Sequence, residues 1–167
     1  MNYHNILHDD MLNGDGLRVV LFVSGCTHNC PECQNPQTHS FDSGIPFDQE
    51  ALTELKTELQ KDYISGITFS GGDPLHPANR ETVAAIIWAL SDILKSQNKT
   101  VWIYTGYRWD EVKNELAVRL ADVLVDDRYD PALNDVNYPW AGSTNQRVID
   151  VQKSLAAGQV ILHTEKD

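Results

Sequence analysis

The sequence predicts an α/β fold of parallel strands with helices on the outside, arranged as an open sheet or a partial barrel. Two observations support this. Between about residues 15 and 128, four short apolar runs alternate with stretches of helical periodicity, which is the pattern of parallel strands joined by crossover helices. With 167 residues, 41% of them hydrophobic, the chain has the size of one domain with a buried core. We therefore expect a single domain over residues 1–167, with its core at about 15–128 and an irregular C-terminal segment at about 129–167.

The first strand is predicted at residues 17–25, LRVVLFVSG, because this run is rich in β-branched residues and ends at a glycine. A helix follows within residues 47–63, where Asp48 is a candidate N-cap and leucines recur along one face. The second strand is predicted at residues 66–70, because the chain then enters a Gly-Gly turn followed by a proline.

The most regular helical pattern covers residues 79–96, with Asn79 as N-cap and Trp88 expected in the core. Residues 100–107 then predict a third strand, residues 109–121 a third helix and residues 121–127 a fourth strand. Beyond Tyr129 the chain is rich in turn formers, and we expect only a terminal pair of strands there, formed by the runs RVIDVQ and QVILHT.

Charge and hydropathy limit the classes of function. The net charge of −11 argues against sequence-independent binding of nucleic acid or of an anionic membrane. No apolar run reaches the roughly 20 residues of a membrane span, and the N-terminus lacks the basic and apolar regions of a signal peptide. We expect a cytoplasmic protein with no nucleic-acid or membrane partner, and in that compartment clustered cysteines are more often metal ligands or catalytic groups than disulfides.

The three cysteines of the chain, Cys26, Cys30 and Cys33, all follow the first predicted strand. Three thiolates can hold three irons of a cubane cluster, which leaves the fourth iron open to a small molecule. The alternative is a structural zinc site in which His28, His39 or Glu32 supplies the fourth ligand.

A second conspicuous turn, GGDP at residues 71–74, follows the second predicted strand. Glycines lack a Cβ, so the backbone of such a turn can approach a ligand closely. Because the carboxyl ends of parallel strands meet at one edge of the sheet, we expect the cysteines and this turn to lie on the same rim.

The CxxxCxxC spacing after the first strand, combined with GGDP after the second, resembles the radical S-adenosylmethionine (SAM) enzymes. The segments NGDGLRVVLFVSGC, SGGDPLHPANR, VLVDDRY and GSTNQR narrow the resemblance to the activating proteins of anaerobic ribonucleoside-triphosphate reductase, over about residues 3–151. The chain departs from the pattern of that family at Gln34, where an aromatic residue is common, and at Ala141, where an arginine is common.

The resemblance implies a partial (β/α) barrel of the radical SAM type. It implies a [4Fe-4S] cluster bound by Cys26, Cys30 and Cys33, with SAM on the open iron. The adenine side of SAM would be lined by Glu32, Cys33 and Gln34.

The resemblance also implies that Gly71, Gly72 and Asp73 hold the methionine amino group of SAM. Reductive cleavage of SAM would give a 5′-deoxyadenosyl radical, which would take a hydrogen atom from a glycine on the glycyl-radical subunit of the reductase. The chain would then be a radical SAM oxidoreductase, supplied with electrons by a donor such as a flavodoxin. The alternatives are a small radical SAM synthase that acts on a free metabolite and a non-enzymatic zinc-binding module.

Overall fold

The computed structural model describes residues 1–164, which form a mixed α/β fold around one seven-stranded sheet. The strands are β1 (Asn2–Asp10), β2 (Leu17–Val23), β3 (Ile45–Pro46), β4 (Ile64–Gly71), β5 (Thr100–Tyr104), β6 (Val123–Asp126) and β7 (Arg147–Asp150). The helices are α1 (Gln49–Leu59), α2 (Arg80–Ala89), α3 (Ser91–Ser96), α4 (Trp109–Val112), α5 (Leu116–Arg119) and α6 (Val151–Ala157). None of these described helices has the length and apolar character needed to cross a membrane.

The strand order of the sheet is β3-β1-β2-β4-β5-β6-β7. The four central strands, β2, β4, β5 and β6, run parallel to one another, as predicted. The outer strands are antiparallel to their neighbours: β1 pairs with β2, β3 with β1, and β7 with β6. The predicted α/β class is therefore confirmed for the centre of the sheet, whereas β1, β3 and the pairing of β7 with β6 were not predicted.

Side chains of the central strands alternate between two apolar clusters. On β5, Val101 and Ile103 join the main core, to which each of the six helices contributes, so that these helices pack on one face of the sheet. Trp102 points to the opposite face. There it forms a smaller cluster with Val123, Val125 and Val148.

The face opposite the helices also holds Arg18, a fully buried arginine. Its guanidinium lies 5.5 Å from the Trp102 ring centroid, and its Nε donates to Thr68 Oγ1 at 2.8 Å. Its two terminal nitrogens donate to neutral oxygens, among them the carbonyls of Ile67 and Thr100 at 2.9 and 2.8 Å. Burial lowers the pKa of Arg18 to about 10. Arg18 therefore links β2 with β4 and β5 through hydrogen bonds to neutral groups.

Two of the predicted helices are each divided in the structure. The first predicted helix forms the single helix α1, and Asp48 is its N-cap as predicted, because its side chain accepts a hydrogen bond from Ala51 N at 2.9 Å. The predicted helix at 79–96 is interrupted at Leu90 and forms α2 and α3, and the predicted third helix forms α4 and α5. The Asn79 side chain makes no capping bond to α2. The expectation for Trp88 was wrong, because this side chain is 69% exposed.

The C-terminal segment differs from the expected pair of strands. Residues 147–150 form β7 on the edge of the main sheet, and the chain then continues as α6. Asp150 caps this helix by accepting from Lys153 N, and Gly158 ends it in the left-handed conformation. Within residues 1–164, the expected pairing is reduced to one isolated antiparallel bridge between Ile149 and Leu162.

Candidate functional site

The carboxyl ends of the four central strands meet at one rim. The loop after β2 is joined to the turn after β4 by the bond from Asp73 N to Gly25 O at 2.8 Å. The end of β5 is joined to β6 by the bond from Thr105 N to Val125 O at 2.9 Å. The predicted convergence of the cysteine loop and the GGDP turn is therefore confirmed.

The turn after β4 packs tightly against the end of β2. Gly72 N donates to Val23 O at 2.8 Å. A Cβ placed on Gly72 would lie only 2.6 Å from Gly25 O, closer than real Cβ contacts allow. The close approach of the ends of β2 and β4 therefore requires a glycine at position 72, whether or not this residue also contacts a ligand.

The carboxylate of Asp73 accepts hydrogen bonds from several elements of the rim. Its Oδ1 accepts from Leu75 N at 2.9 Å and from Thr105 Oγ1 at 2.8 Å. Its Oδ2 accepts from Gly106 N at 3.0 Å and lies 2.6 Å from His28 Nε2. Asp73 is 1% exposed. Its carboxylate thus connects the glycine turn both to the cysteine loop and to the end of β5.

Asn79 makes a second connection between the cysteine loop and the glycine turn. Its Nδ2 donates to Ser24 O and to Asp73 O, both at 3.0 Å. The side chain is buried. This role could not be predicted from the sequence, because an asparagine that precedes a helix is most often its N-cap. The two carbonyl groups that it binds belong to other turns of the chain.

The three cysteines are free thiols on the loop that follows β2, and each is partly exposed. Cys26 is held by its N–H to His39 O at 3.1 Å, and a bond from Cys33 N to Cys30 O at 3.2 Å closes a tight turn. The loop therefore has a fixed backbone path supported by its own main chain and by residue 39.

The thiols influence one another electrostatically. The pKa of Cys26 is raised to about 11, chiefly by burial and with smaller contributions from the charges of Asp73, Cys30 and Cys33, against the lowering effect of a hydrogen bond from the His28 backbone. Burial also raises the pKa of Cys30, against the effect of a hydrogen bond from the Tyr129 backbone. At neutral pH Cys26 and Cys30 therefore keep their protons, which a bound metal would displace. Three soft, partly accessible sulfur donors suit iron in an iron–sulfur cluster.

The geometry bears on the alternative of a structural zinc site. Among residues 1–164, the Cys26, His28 and Asp73 side chains form a group whose ligand atoms all lie within 4.8 Å of one another. This group contains only one of the three cysteines, and a zinc site built on it would give no role to Cys30 and Cys33. The His28 Nε2 is in addition hydrogen-bonded to Asp73.

The residues expected on the adenine side lie at the outer part of the loop. Glu32 is exposed and adopts a positive φ of 55°. Gln34 is exposed, and a Cβ built on Gly142 would lie 3.1 Å from its Nε2. Gln34 therefore lies beside the residue that follows Ala141, so the two positions at which the chain departs from the family pattern are close in space.

The contact between Gln34 and the late GSTNQ segment was not predicted. Gln146 organises this segment, because its Oε1 accepts from Gly142 N at 3.0 Å and from Ser143 N at 3.1 Å. Its Nε2 donates to Asp127 O at 3.2 Å. The long loop between β6 and β7 is thus fastened to the rim beside the cysteine loop.

Comparisons with known proteins agree with this geometry. A family model described as a 4Fe-4S single cluster domain matches residues 12–149. Three relatives are each named anaerobic ribonucleoside-triphosphate reductase-activating protein. The protein of Enterobacteria phage T4 is 39% identical over 149 residues, which cover 89% of this chain and 93% of the phage protein. The proteins of Salmonella typhi and Escherichia coli strain K12 are 40% and 39% identical over 152 residues, covering 89% of this chain and 97% of each relative.

Proposed function

The chain belongs to the family of anaerobic ribonucleoside-triphosphate reductase-activating proteins, and on this basis we propose that it generates a glycyl radical on such a reductase. The observation that carries the proposal is the placement of three free cysteines at the end of β2, joined to the glycine turn of β4. The partner is the glycyl-radical subunit of the reductase.

The proposed metal ligands are Cys26, Cys30 and Cys33, which would bind a [4Fe-4S] cluster and leave one iron for SAM. The bound cluster and SAM together supply the reductive cleavage that yields methionine and a 5′-deoxyadenosyl radical. The thiols release their protons when metal binds, and main-chain hydrogen bonds at Cys26 and Cys33 support the backbone of the loop that carries them.

The glycine turn is the proposed site for the methionine end of SAM. The carbonyl groups of Gly71 and Gly72 are acceptors of the kind that an ammonium group needs. Asp73 would contribute through its main chain, because its carboxylate already accepts from Leu75, Thr105 and Gly106.

The proposed adenine side consists of Glu32, Cys33 and Gln34. Its support is the position of Gln34 next to Gly142, where an amide side chain and the late segment lie together at the rim. An amide offers both a donor and acceptors to a purine.

Further parts of the proposal concern the architecture and the setting. We propose that residues 1–167 form a single domain whose sheet is a partial (β/α) barrel, supported by four parallel central strands with helices on one face. We propose that the protein acts in the cytoplasm and receives electrons from a donor such as a flavodoxin. The free cysteines are consistent with a reducing compartment.

The test combines metal analysis with a reaction assay. Protein reconstituted without oxygen should contain about four irons and four sulfides, cleave SAM after reduction, and give a glycyl-radical signal on added reductase. Replacement of Cys26, Cys30 or Cys33 by alanine should abolish SAM cleavage. Cleavage that persists in each of these variants would refute the proposal, and about one zinc without sulfide would indicate a zinc-binding module instead. A radical product formed without the reductase would indicate a synthase acting on a free metabolite.

A further inference from the structure

We propose that His28 is a positioning residue that fastens the cysteine loop to the glycine turn through Asp73, before any metal is bound. We call this pair the His28–Asp73 clamp. The inference deepens the proposed function, on which it rests for the role of the loop, but the clamp itself belongs to the protein alone.

The first support is the contact itself. His28 lies between Cys26 and Cys30 in the sequence, and its Nε2 is 2.6 Å from Asp73 Oδ2. The two side chains are 5% and 1% exposed. Water therefore competes little for this hydrogen bond, and a buried bond to a carboxylate is stronger than an exposed one.

The second support is the rigidity of the acceptor. The Asp73 carboxylate is fixed from the β5 side by Thr105 Oγ1 and by Gly106 N, at 2.8 and 3.0 Å. From its own turn it is fixed by Leu75 N at 2.9 Å. A side chain bound to this carboxylate therefore has a defined position relative to Gly71 and Gly72.

The third support is the space made for the imidazole ring. A Cβ placed on Gly106 would lie 2.5 Å from His28 Cδ2, so a residue larger than glycine would collide with the ring. The Tyr107 ring meets His28 edge-on, with ring centroids 4.5 Å apart. The end of β5 thus forms a slot for His28.

These contacts assign His28 to positioning and leave the metal to the thiols. The clamp fixes the middle of the cysteine loop relative to the turn that would hold the methionine end of SAM. Groups that hold ligand-bearing residues in place reduce the conformational ordering that ligand binding requires. Around metal sites, removal of such a group commonly lowers metal affinity or activity about 10–100-fold.

Two variants separate hydrogen bonding from ring packing. His28→Phe keeps an aromatic ring beside Tyr107 but gives Asp73 no N–H donor. His28→Gln restores a donor, because the glutamine Nε2 is as many bonds from Cβ as the imidazole Nε2. The matched control is His8→Phe, because His8 Nε2 makes a similar contact of 2.7 Å to Glu54 Oε1 at the exposed surface.

The first measurement is amide hydrogen exchange over residues 24–35 in the cluster-free protein, which reads the clamp without metal or activity. His28→Phe should exchange about 10-fold faster there than the unchanged protein, whereas His28→Gln and His8→Phe should differ little. The second measurement is SAM binding to the reconstituted protein with its cluster left oxidised, so that SAM is not cleaved, measured by equilibrium dialysis. His28→Phe should keep its full iron content and bind SAM about 10-fold more weakly, with His28→Gln restoring most of the affinity.

Equal exchange rates in His28→Phe and the unchanged protein would overturn the proposal. Loss of iron from both folded variants, His28→Phe and His28→Gln, would also overturn it, since restoring the donor to Asp73 would then not be enough and the imidazole itself would be a ligand. If His28→Phe does not fold, His28→Gln decides the question. Exchange that is slower in His28→Gln than in His28→Ala, which has no donor, upholds the clamp, and equal exchange in these two variants overturns it. If the protein proves to bind no cluster, the exchange measurement still tests the clamp separately from the proposed function.

Discussion

Replacement of Asn79 by alanine should destabilise the protein by about 2–3 kcal/mol. The substitution removes two buried hydrogen bonds, to Ser24 O and Asp73 O, each contributing roughly 1 kcal/mol. Asp73 O keeps the bond from His76 N, so the added penalty for an unpaired carbonyl, about 1 kcal/mol, applies at Ser24. Ser24 is buried, so water does not readily replace the lost donor.

The assay is urea unfolding of the cluster-free protein, followed by tryptophan fluorescence. The control is Asn5→Ala on strand β1, where the side chain is exposed and the change should stay within about 0.5 kcal/mol. Asn79→Asp should be at least as destabilising as alanine, because it places carboxylate oxygens against two carbonyl groups. If Asn79→Ala unfolds at the same urea concentration as the control, the two hydrogen bonds do not hold the rim together and the reasoning is refuted.

Four further substitutions test other parts of the structure. Gly72→Ala should cost about 1–3 kcal/mol, measured by thermal unfolding, because its Cβ would press on Gly25 O; an unchanged melting temperature would contradict the packing. Trp102→Ala should lower the free energy of unfolding by about 3–5 kcal/mol, because this side chain is buried. Trp88→Ala should lower it by less than about 0.5 kcal/mol, because this side chain is exposed. Equal shifts in the urea midpoint of the two variants would contradict this assignment. Gln146→Leu removes hydrogen bonds to Gly142, Ser143 and Asp127 and should lower the free energy of unfolding by about 2–3 kcal/mol. Limited proteolysis should then cut first within residues 127–146, and an unchanged cleavage pattern would contradict the role given to Gln146.

The central strands and the shared rim could be predicted because each depends on local sequence. The runs that form β2, β4, β5 and β6 are apolar and β-branched, and they are separated by helical stretches. Parallel strands with crossover helices necessarily place their carboxyl ends together. The cysteine loop and the glycine turn could therefore be placed side by side from sequence alone.

Strand β1 was missed because its pattern is irregular. Its buried apolar residues are Tyr3 and Ile6, whose spacing of three breaks the alternation expected of a strand. The structure explains this spacing by a register shift between Tyr3 and Asn5. A bulge of this kind is set by the pairing partner and leaves no reliable local signal.

Helix α6 was also missed, although the sequence contained its boundaries. Asp150 is a good N-cap and Gly158 a good C-terminal stop, and both act in this way in the structure. The apolar run after Gly158 favoured a strand pair instead. In contrast, the break at Leu90 between α2 and α3 had no signal, because Leu90 is buried and continues the apolar period.

The Asp73 carboxylate has a consequence for the order of folding. It joins His28, 45 residues earlier in the chain, to Gly106, 33 residues later. Contacts so distant in sequence require the closure of long loops and form late in folding. During synthesis, the cysteine loop would leave the ribosome long before Thr105 and Gly106 were available to fix its anchor. The three thiols should therefore take up their final arrangement only after β5 has joined the sheet, so that metal insertion would follow folding of the chain.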